Sequence, residues 1–442
     1  MSTFLSSMGD GFARLRAKAG AAISDMCHIW AAEMRSVFKD EGMLIFFVIV
    51  PLLYPLLYSW CYNNETVREV PVAVVDRSHS RESRDFIRKC DASPDVRVAH
   101  RCNSLEEARR LVGEQEAKGV LYVPYDYADK LNRLEQAHVG VYCDMSLMLS
   151  YKAVYQTAFM VATETGKDIR VRLAGNHTSR EDELTMEPME VADIAVSNPS
   201  GGYGSFLIPG VLMLIMQQTL LLGIGLGAGT ARENNRYRDL VPVSSHHDGI
   251  LRIVLGKSVC YLMIYSVAAA WLALAVPKLF GFPSMPHLPT LAAFMLPYLL
   301  SCIFFGMVLS CVVRYRENTL LLVVFTSVPF LFLAGVTWPQ CAVPGAWQGV
   351  SSLIPSTYGI RGFIRISSMG ASIADVAGEL RALWIQTACY FTAACLVYAY
   401  QVRQARRNAK RHIGGLRDMA ARLLAQGAEH APGTQGHEGN AQ

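Results

Sequence analysis

Charge is what this chain has least of. Asp, Glu, Lys and Arg make up 18% of its 442 residues and hydrophobic residues 52%, where a soluble domain carries about 25% charge. Its placement is more telling than its total. No charged residue occurs from Gly42 to Asn64, Ile194 to Ala231, Ser258 to Pro277, Leu279 to Val313, Asn318 to Ile360 or Ala382 to Val402. A bilayer core takes about 20 apolar residues in helix, because each backbone polar group must be satisfied inside the segment. The uncharged windows therefore predict six spans, at 43–60, 206–229, 259–277, 291–313, 319–337 and 382–402.

Other absences narrow the function. The span interiors hold no Asp, Glu, Lys or Arg. Ion-coupled carriers usually place proton or substrate relays there, so a proton- or sodium-driven carrier is disfavoured. The polar exception is Gln217-Gln218 in the second span, a candidate for the pathway or for hydrogen bonding between helices. The eleven cysteines include no CxxC and no close Cys/His cluster, which speaks against a structural zinc site. Gly256-Lys257-Ser258 ends like a phosphate-binding loop, but the glycine that should open the loop is replaced by Leu251. Asp76, Ser78, His79 and Ser80 have no second acid, oxyanion element or nucleophile elbow beside them, and a strand end followed by a Ser helix cap accounts for them. The reading is of a non-enzymatic chain that binds no cofactor itself.

What is present is organised around the membrane. Arg14, Arg16, Lys18, Arg35 and Lys39 precede the first span, and Arg232, Arg236, Arg238, Arg252 and Lys257 follow the second. Arg314 and Arg316 lie between the fourth and fifth, and a basic tail from Arg403 to Arg422 follows the sixth. The opposite short loops hold only Lys278, Arg361, Arg365 and Arg381. Basic residues mark the cytoplasmic side, so both termini are expected there. The net charge of +4 follows from this topology and calls for no nucleic acid, and the tail suits membrane lipid. Residues 1–42 carry an apolar face of helical spacing, expected either along the inner membrane surface or as an extension of the first span.

The long insertion, 61–203, then lies outside the membrane as an α/β domain. Short β-branched runs at 70–76, 96–100, 119–124 and 139–144 alternate with helical stretches at 80–90, 104–117 and 129–137. Ser104 and Glu107 form a capping box. A longer helical stretch, 146–173, leads to a polar, loop-like segment. Cys61, Cys90, Cys102 and Cys143 sit where disulfides can form, and Cys90–Cys102 is the suspected pair among three connectivities. Within 204–402, residues 338–380 are too broken by proline for a span and too apolar for a solvated loop. A re-entrant helical pair fits, with Trp338 and Trp347 at the interface.

Several segments then fall into a familiar order: "VPVAVVDRSHSRESRDFIRKC", "NSLEEARRLVGEQEAKGVLYVPYDYADKL", "VGVYCDMS", "FLIPGVLMLIMQQTLLLGIGLGAGTARE" and "LVPVSSHHDGILRIVLGKSV". Together they resemble the permease subunits of type-2 ABC exporters, in the subfamily with a large external domain between spans one and two. One departure is that Asn234-Asn235 follow Arg232-Glu233, where the family often has a further charge and Gly-Thr.

The resemblance implies a polytopic helical membrane protein of the bacterial inner membrane that moves a substrate outward by alternating access. ATP-Mg would sit in separate ABC ATPase subunits, and the pathway would form with a second permease, a copy or a paralogue. A periplasmic adaptor follows by family analogy alone. ATPase coupling falls to segment 230–257 and the N-terminal helix, with Arg232, Glu233, Arg236, Leu240, Pro242, Gly256 and Lys257 as the candidate residues. Lys257 is expected at the membrane boundary, reaching phosphate headgroups. Pro355, Tyr358 and Arg361 are candidates for an outer gate, with Gln217 and Gln218 on the pathway. Two other classes stay open: a membrane-anchored receptor sensing through the α/β domain, and a mechanical transmitter acting on periplasmic partners.

Overall fold

The computed structural model describes residues 2–175, 177–187, 189, 194, 197–198, 201–233, 249–310 and 315–429. The chain divides into two compact units, Asn64–Gly202 and the remainder on either side of it.

In the larger unit a long helix, α1 (Ser2–Lys39), is followed after Asp40 by the first span, α2 (Glu41–Cys61). Asp40 ends one helix and caps the next, its carboxylate accepting the N–H groups of Gly42 and Met43 at 3.0 and 3.2 Å. N-terminal residues 2–39 thus form a helix distinct from α2.

In the inserted unit, β1 (Val70–Asp76) leads through α3 (Arg81–Asp91) to β2 (Val96–Arg101), then α4 (Leu105–Gly113), β3 (Gly119–Val123), α5 (Tyr127–Asn132) and β4 (Gly140–Cys143). The sheet order is β2-β1-β3-β4, parallel except for the β3–β4 pair. Alternating residues of β1 face two separate cores. Val70, Val72 and Val74 pack with Phe86, Ile87 and Cys90, whereas Ala73 and Val75 pack with Ala108 and Cys102. The suspected Cys90–Cys102 disulfide is therefore ruled out: the two thiols are free and the sheet lies between them. Cys61 and Cys143 are free as well. Burial pushes the Cys90 thiol up to about 12 and that of Cys143 to about 11, which keeps both protonated.

Two helices complete the insertion, α6 (Met148–Ala174) and α7 (Ser179–Met186). The second interrupts the segment expected to be loop. Thr178 and Glu181 close a capping box around it, a local signal sufficient to start a short helix.

The remaining spans are α8 (Tyr203–Glu233), α9 (Gly249–Phe280), α10 (Leu288–Leu309), α11 (Arg316–Leu333) and the first part of α14 (Ala377–Glu429). Between α11 and α14 lie α12 (Gly345–Ser351) and α13 (Pro355–Met369). All six expected spans are thus helices long and apolar enough to cross a membrane. Helix α8 is the axis, buried along nearly its whole length. Its small residues bring neighbours close on two sides. A Cβ on Gly223 or Gly227 would collide with Phe47 or Met43 of α2, and one on Gly225 or Gly229 with Thr319 or Arg316 of α11. Spans α2 and α9 each contain one π-helical turn, Ile45–Ile49 and Trp271–Ala275, ending two residues before Pro51 and Pro277. The wider turn accommodates the missing N–H and the ring of each proline.

Candidate coupling site and gate

Two clusters of polar side chains stand out among the described residues of the larger unit. The first is a charged collar that joins α1 to the ends of α8, α9 and α11. Acids at 25, 33 and 40 recur at seven or eight residues, so they share one face of the α1 region. Asp25 pairs with Arg252 at 2.8 Å, and Glu33 with Lys257 at 2.6 Å. Tyr261 also donates its hydroxyl to Glu33. Between these pairs Ile29 lies against Gly256, where a Cβ would come within 3.0 Å of it. The contacts ascend together in both helices, so α1 and the start of α9 run parallel.

Asp40 makes the third connection. The Arg316 guanidinium grips its carboxylate with two bonds, at 2.7 and 3.1 Å, and the Thr230 hydroxyl donates to it at 3.3 Å. The backbone N–H of Arg316 donates to Glu233 at 3.3 Å, so the end of α8 is tied to the same arginine. Burial pushes the Asp40 carboxyl up, but the Met43 and Gly42 N–H groups and Arg316 outweigh it and hold it below the ordinary carboxylate range.

The coupling residues expected from the sequence fall into three groups. Glu233 is exposed and engaged with Arg316, and Arg232 is half-buried within electrostatic reach of Tyr398. Arg236, Leu240 and Pro242 lie outside the described residues. Gly256 and Lys257 belong to α9. Helix α9 begins at Gly249, so both sit inside it, about two turns in. Lys257 pairs with Glu33 of α1. Both side chains of this pair are only 12% exposed. Asp25, Glu33, Asp40 and Arg316 were not singled out from the sequence. Their signal is the acid spacing on α1, but nothing local points to the bases they meet.

The second polar site surrounds the head of α13. Pro355 opens this helix, with no side-chain cap from Ile354. Its second residue is met from α8 instead: the Gln217 carbonyl oxygen accepts the Ser356 N–H at 2.7 Å. The Cys302 thiol of α10 donates to the same oxygen at 3.7 Å. Gln386 of α14 donates to the Ser352 carbonyl at 2.7 Å, and Tyr390 donates to Leu353. Gln218, next along α8 and also buried, finds no partner for its carboxamide among the described residues. Further along α13, Arg361 donates to the Ala334 carbonyl at 3.5 Å and lies 6.0 Å from the Tyr358 ring centroid. Arg365 pairs with Glu379 at 3.0 Å. Glycines let the helix nest on aromatics of α10: a Cβ on Gly359 or Gly362 would strike Tyr298 or Phe294.

In the inserted unit, Asp76 staples a turn by accepting the N–H groups of Ser78 and His79 and the Ser83 hydroxyl. Ser80 caps α3. A groove of about 420 Å³ runs between α5, β4 and α6, lined by Tyr127, Leu131, Val141, Tyr155 and Phe159 among others.

Comparison with known families brings one match. The model of the ABC-2 family transporter protein covers residues 42–396, from the start of α2 to within α14. A search of curated proteins returns no match. With six spans, an inserted α/β unit and a family match over most of its length, the chain belongs to the ABC-2 transporter family, as a multi-pass membrane component.

Proposed function

We propose that the chain is the permease subunit of an ATP-driven exporter in the bacterial inner membrane, working with ABC ATPase subunits and a second permease, a copy or a paralogue. The family match supports the ATPase pairing. The outward direction rests on the resemblance to type-2 exporters. The collar would face the cytoplasm, in keeping with the basic residues on that side.

The observation that carries the reading is how the collar brackets residues 234–248. Helix α8 enters this stretch from Glu233, bonded to Arg316, and α9 leaves it at Gly249, tied to α1 through Arg252 and Lys257. An ATPase that engages the stretch acts on α1, α8, α9 and α11 together. The head of α13 would then be the outer gate, held by Gln217 until the spans shift. The inserted unit would receive cargo, a role its groove supports, and by analogy hand it to a periplasmic adaptor.

The test is purification from the native host in mild detergent, with identification of what co-elutes and an assay of ATP hydrolysis. An ATPase subunit that comes down with the chain, and is released or uncoupled by Glu233→Ala, is the expected result. If no nucleotide-binding subunit is recovered even after cross-linking, the exporter reading fails.

A further inference from the structure

Hydroxyl groups inside the spans are mostly returned to their own helix. Thr219, Thr326, Thr387 and Thr392 each donate to the carbonyl four residues earlier. Ser356 and Thr357 have no such carbonyl to return to, because they stand in the first turn of α13. Ser356 is fully buried and Thr357 is 1% exposed, yet the hydroxyl of each lacks a partner among the described residues. The side-chain NH₂ of Gln217, also fully buried, lacks one too, although its oxygen holds the Ser356 N–H. Two hydroxyls and one amide donor thus remain unsatisfied at one helix head, in the middle of an apolar unit.

Leaving such groups without partners is costly, and internal water or a ligand is the usual remedy. The chemistry of the occupant is constrained. A helix N-terminus and an amide NH₂ both favour an oxygen acceptor, and hydroxyls can give or take a proton. None of the three groups is an anion, so an ammonium would be buried there without a counter-ion. Arg361, one turn further along, directs its Nε to Ala334, while a buried NH₂ of its guanidinium has no partner among the described residues.

We propose that the head of α13, at Gln217, Ser356 and Thr357, is a closed binding seat for an oxygen ligand. While α13 is docked the occupant is water; when it moves, a hydroxyl or carbonyl oxygen of the cargo takes the same bonds. The water half stands on the geometry alone, and the cargo half rests on the exporter reading. Water in the seat also makes the Gln217–Ser356 bond exchangeable, since a bridging molecule replaces it at little net cost.

The neighbouring Cys302 thiol, bonded to Gln217 and 1% exposed, supplies a reporter. Radiolytic hydroxyl-radical footprinting of the full chain in nanodiscs oxidises sulfur beside bound water even when it is buried. Cys260, equally buried but on α9, is the internal control. Cys302 is expected to oxidise several-fold faster than Cys260, and to fall to the control rate in Gln217→Leu and in the near-isosteric Thr357→Val. Equal rates for the two thiols in the unaltered protein, or no change in Thr357→Val, would overturn the water half.

The second arm uses the complex with its ATPase, turning over ATP, with dodecanol or dodecane added at matched concentrations. Protection of Cys302 by the alcohol but not by the alkane is expected. Equal effects of the two during active hydrolysis would limit the occupant to water and overturn the cargo half. A complex that hydrolyses no ATP would count against the exporter reading and the cargo half together, leaving the first arm to decide the water half.

Discussion

Midway along α8 its neighbours are held by neutral groups, a carboxamide and a thiol, while at its C-terminal end they are held by ions. The two regions fail in different ways. A buried ion pair that loses one member leaves a charge with neither partner nor water, so the contact is either intact or badly broken. A neutral hydrogen bond can be exchanged for a bond to water at small net cost. The collar is therefore suited to transmit displacement without slack, and the head of α13 to let go. If that contrast is right, motion belongs to α13 and rigidity to the α1–α9 seam.

The largest effect that sharpens the contrast is expected at Glu33. Replacing it with Leu removes the carboxylate that both Lys257 and Tyr261 contact, and loss of a buried ionic partner costs about 3–5 kcal/mol. Thermal unfolding of the purified protein should fall markedly, with α1 becoming open to limited proteolysis. The double variant Glu33→Leu/Lys257→Leu should recover part of the loss, because two apolar side chains pack where two ions were, the remainder being the Tyr261 hydroxyl that has lost its acceptor. A double variant as damaged as the single one would show that this pair does not behave as a desolvated unit.

Asp40→Asn comes next, at about 1.5–3 kcal/mol for hydrogen bonds to a charged group, lessened by the partial exposure of Arg316. Here pH gives an independent check. The folded carboxyl sits below its ordinary value, so its contribution is full above the unfolded pKa of about 4 and is lost as pH falls through the folded value. The difference in stability between the unaltered protein and the Asp40→Asn variant should be flat near neutrality and vanish in acid. A difference that persists unchanged in acid would remove the Asp40 charge as its source.

Much of the architecture was legible because it depends on near neighbours. Uncharged windows gave the six spans, and β-branched runs gave the four strands to within a residue or so. What escaped depends on faces and long separations. Asp25–Arg252, Glu33–Lys257 and Asp40–Arg316 each join residues more than two hundred positions apart. Lys257 and Gly256 stood out in the sequence, but the helix they meet lies more than two hundred residues earlier. The cysteine pairing failed for a related reason: twelve residues separate Cys90 from Cys102, yet the path between them crosses from one face of the sheet to the other. Gln217 stood out as polar in an apolar span, but only the structure shows that it caps α13, because a cap donated from another helix has no local pattern.

The smallest expected effect tests the neutral side of the contrast. Gln217→Leu removes the acceptor of the Ser356 N–H, which by itself costs about 1–3 kcal/mol, but it also removes a buried NH₂ that has no partner among the described residues. The two changes oppose each other, and water can take up the freed N–H. The net loss of stability should therefore stay near 1 kcal/mol, well below that at Glu33, while the proteolysis pattern of α1 remains unaltered. In the ATPase complex the same variant should open the head of α13 more readily, seen as faster modification of a cysteine placed at Ser356. A loss as large as that of Glu33→Leu would mean that α13 is fastened as rigidly as the collar, and the division between a stiff seam and a releasable helix would not hold.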